Sequence, residues 1–122
     1  MCQNAYVLVV DDDVDLRDCV ALCLASAGFQ VRSAGDGTEA LQHLAESPPA
    51  LIMLDMRMPR MDGRAFAREL QVRHGPVAPI VVMTAAENAG AAAAEIGAAG
   101  VLGKPFDVDE LLQTVERHLQ HC

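Results

Sequence analysis

No apolar run in this sequence approaches the roughly 18 residues that cross a bilayer, so membrane insertion is not expected. The first residues, Met1-Cys2-Gln3-Asn4, lack the basic segment of a secretory signal, and no leader is expected. Positive charge is scarce: nine Lys and Arg stand against 17 Asp and Glu, a formal net charge of −8. A surface of that sign repels phosphate backbones and argues against direct nucleic-acid binding. The four cysteines, Cys2, Cys19, Cys23 and Cys122, show no metal-type pairing. Cys19 and Cys23 fall four apart in a helical pattern and are expected to be buried free thiols, which implies a reducing, cytoplasmic setting. What the chain does have is core material. Its 122 residues are 52% apolar, enough for one domain over 1–122 and far from a disordered composition.

Three apolar runs, Val7–Val10, Ala50–Leu54 and Pro79–Met83, are short, β-branched or Leu-rich, and unbroken by polar residues. Such runs suit strands covered on both faces, as in a parallel sheet. Phe29–Arg32 alternates and reads as an edge strand, and Val101–Leu102 reads as a very short opposite edge. Helical spacing fills the gaps. It predicts a helix over Val14–Ala27 stopped by Gly28. A second follows Asp36, where Asp36 and Glu39 stand at capping-box spacing, and ends at Pro48-Pro49. Others are predicted over Gly63–His74 and from Asp107 to about Gln120, with a short Ala- and Gly-rich one over Glu87–Ala98. The β-α unit thus repeats five times. Right-handed crossovers then give an α/β doubly wound, five-stranded parallel sheet with five helices. Two weak strands at the edges fit the order 2-1-3-4-5, in which ligands bind beyond the carboxyl ends of the first and third strands.

Polar chemistry stands at those ends. Asp11-Asp12-Asp13 follow the first strand, Asp55 ends the third, Thr84 the fourth, and Gly103-Lys104-Pro105 follow the fifth. Adjacent strands lie about 4.8 Å apart, so carboxylates from the first and third come close together. Two such charges about 4 Å apart repel by roughly 4 kcal/mol at an effective dielectric of 20. A hard divalent cation offsets this, and Mg2+ favours a few carboxylates, waters and phosphate oxygens. A carboxylate so placed can attack a phosphoryl group, while Lys104 and Thr84 supply a cation and a donor for its oxygens.

These segments carry a resemblance. VLVVDDD (Val7–Asp13), LIMLDMRMPRMDG (Leu51–Gly63), VVMTA (Val81–Ala85) and GKPF (Gly103–Phe106) resemble the receiver domains of bacterial response regulators, in the same order and across essentially the whole chain. The resemblance implies a flavodoxin-like fold and a switch in two-component phosphorelay signalling. It implies Asp55 as phospho-acceptor and Mg2+ ligand, Asp12 as direct ligand, Asp11 acting mainly through water, and Arg57 giving a backbone carbonyl to the metal. Thr84 matches the switch hydroxyl and Lys104 the phosphate-binding lysine, with a cis Lys104–Pro105 peptide. The implied partners are a histidine kinase or histidine phosphotransfer protein as donor and a downstream effector or output domain as reader. A homodimer is left open. Such a domain catalyses its own phosphorylation and dephosphorylation and is not expected to be a turnover enzyme.

Other readings are weaker. Asp13 is the residue of the acidic trio best placed to cap the first helix. His43, His74, His118 and His121 lie on predicted helices, mostly near C-terminal ends where cations are favoured, and are not read as relay residues. An aspartate-nucleophile phosphatase would need a second acid two residues after Asp55, where Arg57 stands. A flavin binder would need a Ser/Thr/Gly-rich loop after the first strand, where three aspartates would repel phosphate. A receiver-like interaction module without phosphorylation is countered by the complete acid, Thr and Lys set. Two features depart from the family. Val101 stands where an aromatic usually sits, three residues before the lysine, and the Thr84-to-Lys104 spacing is about two residues short. The expected consequence is a switch that works through the loop after Thr84 and the Glu87–Ala98 helix without an aromatic lever. The sequence ends with the last predicted helix, so a stand-alone receiver or a piece of a longer regulator or hybrid kinase is expected.

Overall fold

The structure is a computed structural model that describes residues 6–55, 63–74, 78–85, 91, 94 and 97–119. Five strands, β1 (Val7–Val10), β2 (Val31–Ala34), β3 (Leu51–Asp55), β4 (Ile80–Ala85) and β5 (Gly100–Lys104), form one sheet in the order β2-β1-β3-β4-β5. Every pairing is parallel. Four helices are described: α1 (Val14–Ser26), α2 (Gly37–Glu46), α3 (Gly63–His74) and α4 (Val108–His118). The helix predicted over Glu87–Ala98 falls mostly outside the described residues.

Strand alternation divides the core. Leu8, Val10, Ile52 and Leu54 pack on one face of the sheet with Leu41, Leu44, Phe66 and Leu70 from α2 and α3. Val7, Val9, Leu51 and Met53 pack on the other with Val20, Leu24, Leu111 and Val115 from α1 and α4. β1 and β3 are buried along their whole length, which is why their sequences are continuously apolar. Both edge strands are only partly buried, as their weaker patterns predict.

The edges also show where sequence pattern misleads. The second strand begins two residues later than Phe29, because the Phe29 amide is still tied to the Leu24 carbonyl (3.0 Å) at the end of α1 and its ring packs against the α1 core. The fifth strand is longer than Val101–Leu102, because β4 pairs with it from Gly100 to Lys104 and supplies a ladder that glycines alone do not announce.

The helix ends follow local chemistry. The Asp13 carboxylate accepts the Leu16 amide as cap of α1, and Gly28, at φ 98°, stops that helix. Asp36 caps α2 through the Glu39 amide, but the Glu39 carboxylate takes the Gly35 amide rather than that of Asp36, one residue off the reciprocal pattern. Asp107 and Glu110 make the full reciprocal box on α4. Asp107→Ala should therefore destabilise the protein by about 1 kcal/mol in denaturant melts, the usual cost of a lost helix cap.

The expected burial of both thiols is corrected. Cys23 is partly buried against the core, whereas Cys19 is exposed. The buried stripe of α1 is Val20 and Leu24, and Cys19, one residue before Val20, is rotated off that stripe. Burial pushes the Cys23 thiol above its usual range, and the neighbouring Cys19 adds to the shift.

Candidate functional site

The strand register delivers the acidic residues to one place. Val10 of β1 pairs with Leu54 of β3, so Asp11 and Asp55, each one residue further on, emerge from adjacent strands at the same level. Asp55 pairs with Met83 of β4, which sets Thr84 one step beyond, and Thr84 pairs with Gly103, the residue before Lys104. Asp55 follows the alternation of Leu51 and Met53, and Lys104 that of Leu102, so both belong to the sheet face covered by α1 and α4.

One carboxylate oxygen from each of Asp11, Asp12 and Asp55 lies within 4.8 Å of the others. Asp11 and Asp55 are buried and Asp12 is exposed, so the cluster has a closed floor and one open acid at its rim. Lys104 reaches in from β5: its Nζ stands 3.3 Å from Asp11 Oδ2 and 3.5 Å from Asp55 Oδ1. Two charges 4.8 Å apart repel by roughly 3.5 kcal/mol at an effective dielectric near 20, and among the described residues the Lys104 ammonium is the side-chain cation in ion-pair contact with the carboxylates of this trio. The donor set is all oxygen and all hard, the chemistry that suits Mg2+ rather than a thiophilic metal. Asp11, Asp12 and Asp55 are the side chains that fit such an ion. Arg57, whose carbonyl the family pattern adds, lies outside the described residues.

The remaining predicted residues divide clearly. Thr84 is half-buried at the end of β4, and the Lys104–Pro105 bond is cis. Val101 occupies β5 as a half-buried aliphatic residue. Asp13 faces its own helix as a cap, while its amide donates to Asp11 Oδ1 at 3.0 Å. The described histidine rings are engaged elsewhere. His43 Nε2 lies 3.0 Å from the Ser33 carbonyl, and the His118 ring lies against the Thr114 and Ala99 carbonyls at 2.8 and 3.4 Å. One contributor carries no motif signal in the sequence. Arg17, on the first turns of α1, sends Nη1 back to the Asp11 carbonyl at 3.1 Å. A cation six residues beyond the first acid of the trio is the only trace it leaves.

The chain is also similar to known proteins. The family model described as response regulator receiver domain matches residues 7–116. The chain is 40% identical over 121 residues to the DNA-binding transcriptional regulator NtrC of Escherichia coli K12, covering 98% of this chain and 26% of that protein. It therefore spans about a quarter of that relative. Among solved structures, the receiver domain of NtrX from Brucella abortus superposes with a TM-score of 0.85 at 36% identity, covering 95% of this chain and 99% of that one. The chemotaxis protein CheY4 of Vibrio cholerae gives 0.84 at 34% identity, covering 94% and 98%.

Proposed function

Because the chain belongs to the receiver-domain family of response regulators, and so serves as a phosphorylation-dependent switch in two-component signalling, we propose that Asp55 is its phospho-acceptor. The observation that carries this assignment is the meeting of buried Asp55, buried Asp11, rim Asp12 and the Lys104 ammonium at the carboxyl ends of β1, β3 and β5.

In this reading an Asp55 carboxylate oxygen attacks the phosphorus of a phosphohistidine on a kinase or phosphotransfer protein. The P–O bond of an acyl phosphate forms as the P–N bond breaks, and the donor imidazole leaves with its nitrogen free to take a proton. Asp11, Asp12, Asp55 and the Arg57 carbonyl would hold Mg2+, which when bound would supply positive charge to the phosphoryl oxygens and relieve the crowding of the carboxylates. Lys104, already between Asp11 and Asp55, moves its ammonium onto a phosphoryl oxygen, and Thr84 donates its hydroxyl to another. Water later attacks the phosphorus, the P–O bond to the Asp55 carboxylate breaks, and inorganic phosphate leaves with Asp55 restored. The chain thus acts on its own side chain and not on a turnover substrate.

The reader of this state is an effector or output domain, as the name DNA-binding transcriptional regulator suggests for NtrC. A cytoplasmic location follows from that role. Among the described residues, no helix is long and apolar enough to cross a membrane.

The test is to incubate the protein with Mg2+ and a small phosphodonor and to weigh the intact chain. One phosphoryl group should be added with Mg2+ and none after chelation with EDTA. A second signature is thermal: Mg2+ at 100 times its dissociation constant should add about 2.7 kcal/mol of stability through linkage. An unmodified mass in the presence of Mg2+, with a melting temperature indifferent to the ion, would remove the proposal.

A further inference from the structure

We infer that Arg17 is a positioning residue for the acidic cluster, seated on Gly35, and that it holds Asp12 where a cation can use it. The inference rests on the receiver reading and extends it to a residue that touches neither metal nor phosphate.

The geometry is a closed circuit. The Asp13 amide donates to the Asp11 carboxylate at 3.0 Å, and the Arg17 amide donates to the Asp13 carbonyl at 2.8 Å. Arg17 Nη1 then returns to the Asp11 carbonyl at 3.1 Å. Asp12 lies inside this loop, its own side chain exposed, with both chain neighbours fixed. An exposed carboxylate has many rotamers, but its backbone here has little freedom, and ordering a ligand before the ion arrives removes a cost from binding.

Two observations show that the arginine is held and not merely resting. Among the described residues its buried Nε has no hydrogen-bond partner, a donor that a free surface arginine would turn toward water. The guanidinium also lies where a side chain on residue 35 would begin: a Cβ built on Gly35 would stand 2.7 Å from Nη1 and 3.8 Å from Cζ. The seat is therefore a missing methyl group at the turn between β2 and α2, where the Glu39 carboxylate takes the Gly35 amide at 3.2 Å. Gly35 does not occupy the left-handed region, so alanine fits its backbone and displaces only the guanidinium.

Gly35→Ala is a probe that keeps every charge and pushes the guanidinium from its place, whereas Arg17→Met removes the donor together with its charge. Mg2+ affinity is read by calorimetry, and amide exchange at Asp12 and Asp13 is read by NMR in metal-free protein. Both variants should weaken Mg2+ binding by about tenfold, the scale of lost outer contacts in metal sites. Both should speed exchange at those two amides before any ion is added. The double variant should be no worse than either alone, because both break one contact. Electrostatics by itself predicts the reverse for Arg17→Met, since deleting a cation beside three carboxylates would tighten Mg2+. Tighter or unchanged binding with unchanged amide exchange would overturn the inference. If Arg17→Met fails to fold, Gly35→Ala decides alone. A parent protein that binds no Mg2+ would sink both this inference and the receiver site, whereas a binding parent with indifferent variants sinks only this one.

Discussion

Asp55→Asn should yield a folded protein that takes up no phosphoryl group from a small phosphodonor in Mg2+, under conditions where the parent is modified. The amide oxygen of asparagine is a poor nucleophile and carries no charge for the ion, so both functions proposed for Asp55 vanish with one atom exchanged. The same change should raise metal-free stability. Among the described residues, buried Asp55 meets two like charges, Asp11 and Asp12, within 4.8 Å and one opposite charge, Lys104, at 3.5 Å, and at an effective dielectric near 20 the two repulsions exceed the one attraction. With Asp12 exposed and screened, the expected gain is about 1 kcal/mol. Intact mass and urea melts in EDTA check the two halves separately. Phosphoryl uptake by the variant would move the acceptor elsewhere. A variant less stable than the parent without metal would contradict the crowding argument.

Lys104→Met should have the second-largest effect, and its sign should depend on the ion. The methionine keeps most of the stem and removes the ammonium that stands between Asp11 and Asp55. Taking one partner from a buried pair leaves an uncompensated charge and commonly costs 3–5 kcal/mol, or roughly 2 kcal/mol here because Lys104 is 28% exposed. That loss is expected in EDTA. Saturating Mg2+ places positive charge among the same carboxylates and should recover most of it, so the stability gap narrows as the ion is added. Phosphoryl uptake should nevertheless slow by about 10²–10³-fold, because a donor aimed at the developing phosphoryl charge has been removed. Melts with and without Mg2+, set beside the rate of adduct formation, separate structural support from catalysis. Equal melts for parent and variant in EDTA would show that the ammonium does not stabilise the cluster.

Much of this was legible in the chain because the relevant signals are local. Val7–Val10 and Leu51–Asp55 are buried on both sides, and burial on both sides leaves an apolar run that can be read without knowing the partner strand. Asp13, Asp36 and Asp107 stand at cap positions because the first amides of a helix need an acceptor within a few residues. Where the decisive contact is distant, the pattern fails. The extent of β5 depends on pairing with β4, Phe29 is drawn toward α1 and out of its strand, and Cys19 is exposed by the particular roll of α1 on the sheet. Nor does Arg17 show any periodicity or spacing that would reveal its reach to the Asp11 carbonyl.

The chain by itself determined the order of strands and helices and the identity of the polar residues at each strand end, because hydrophobic period and capping act within a few residues. Only the tertiary structure decided how those residues meet. Parallel register sets Asp11 level with Asp55, and Lys104 reaches across 93 positions to touch the first and 49 to touch the second. Which acids are buried, which one faces solvent and where Arg17 finds its seat are consequences of packing, since burial and charge compensation exist only once separate strands share one edge of the sheet.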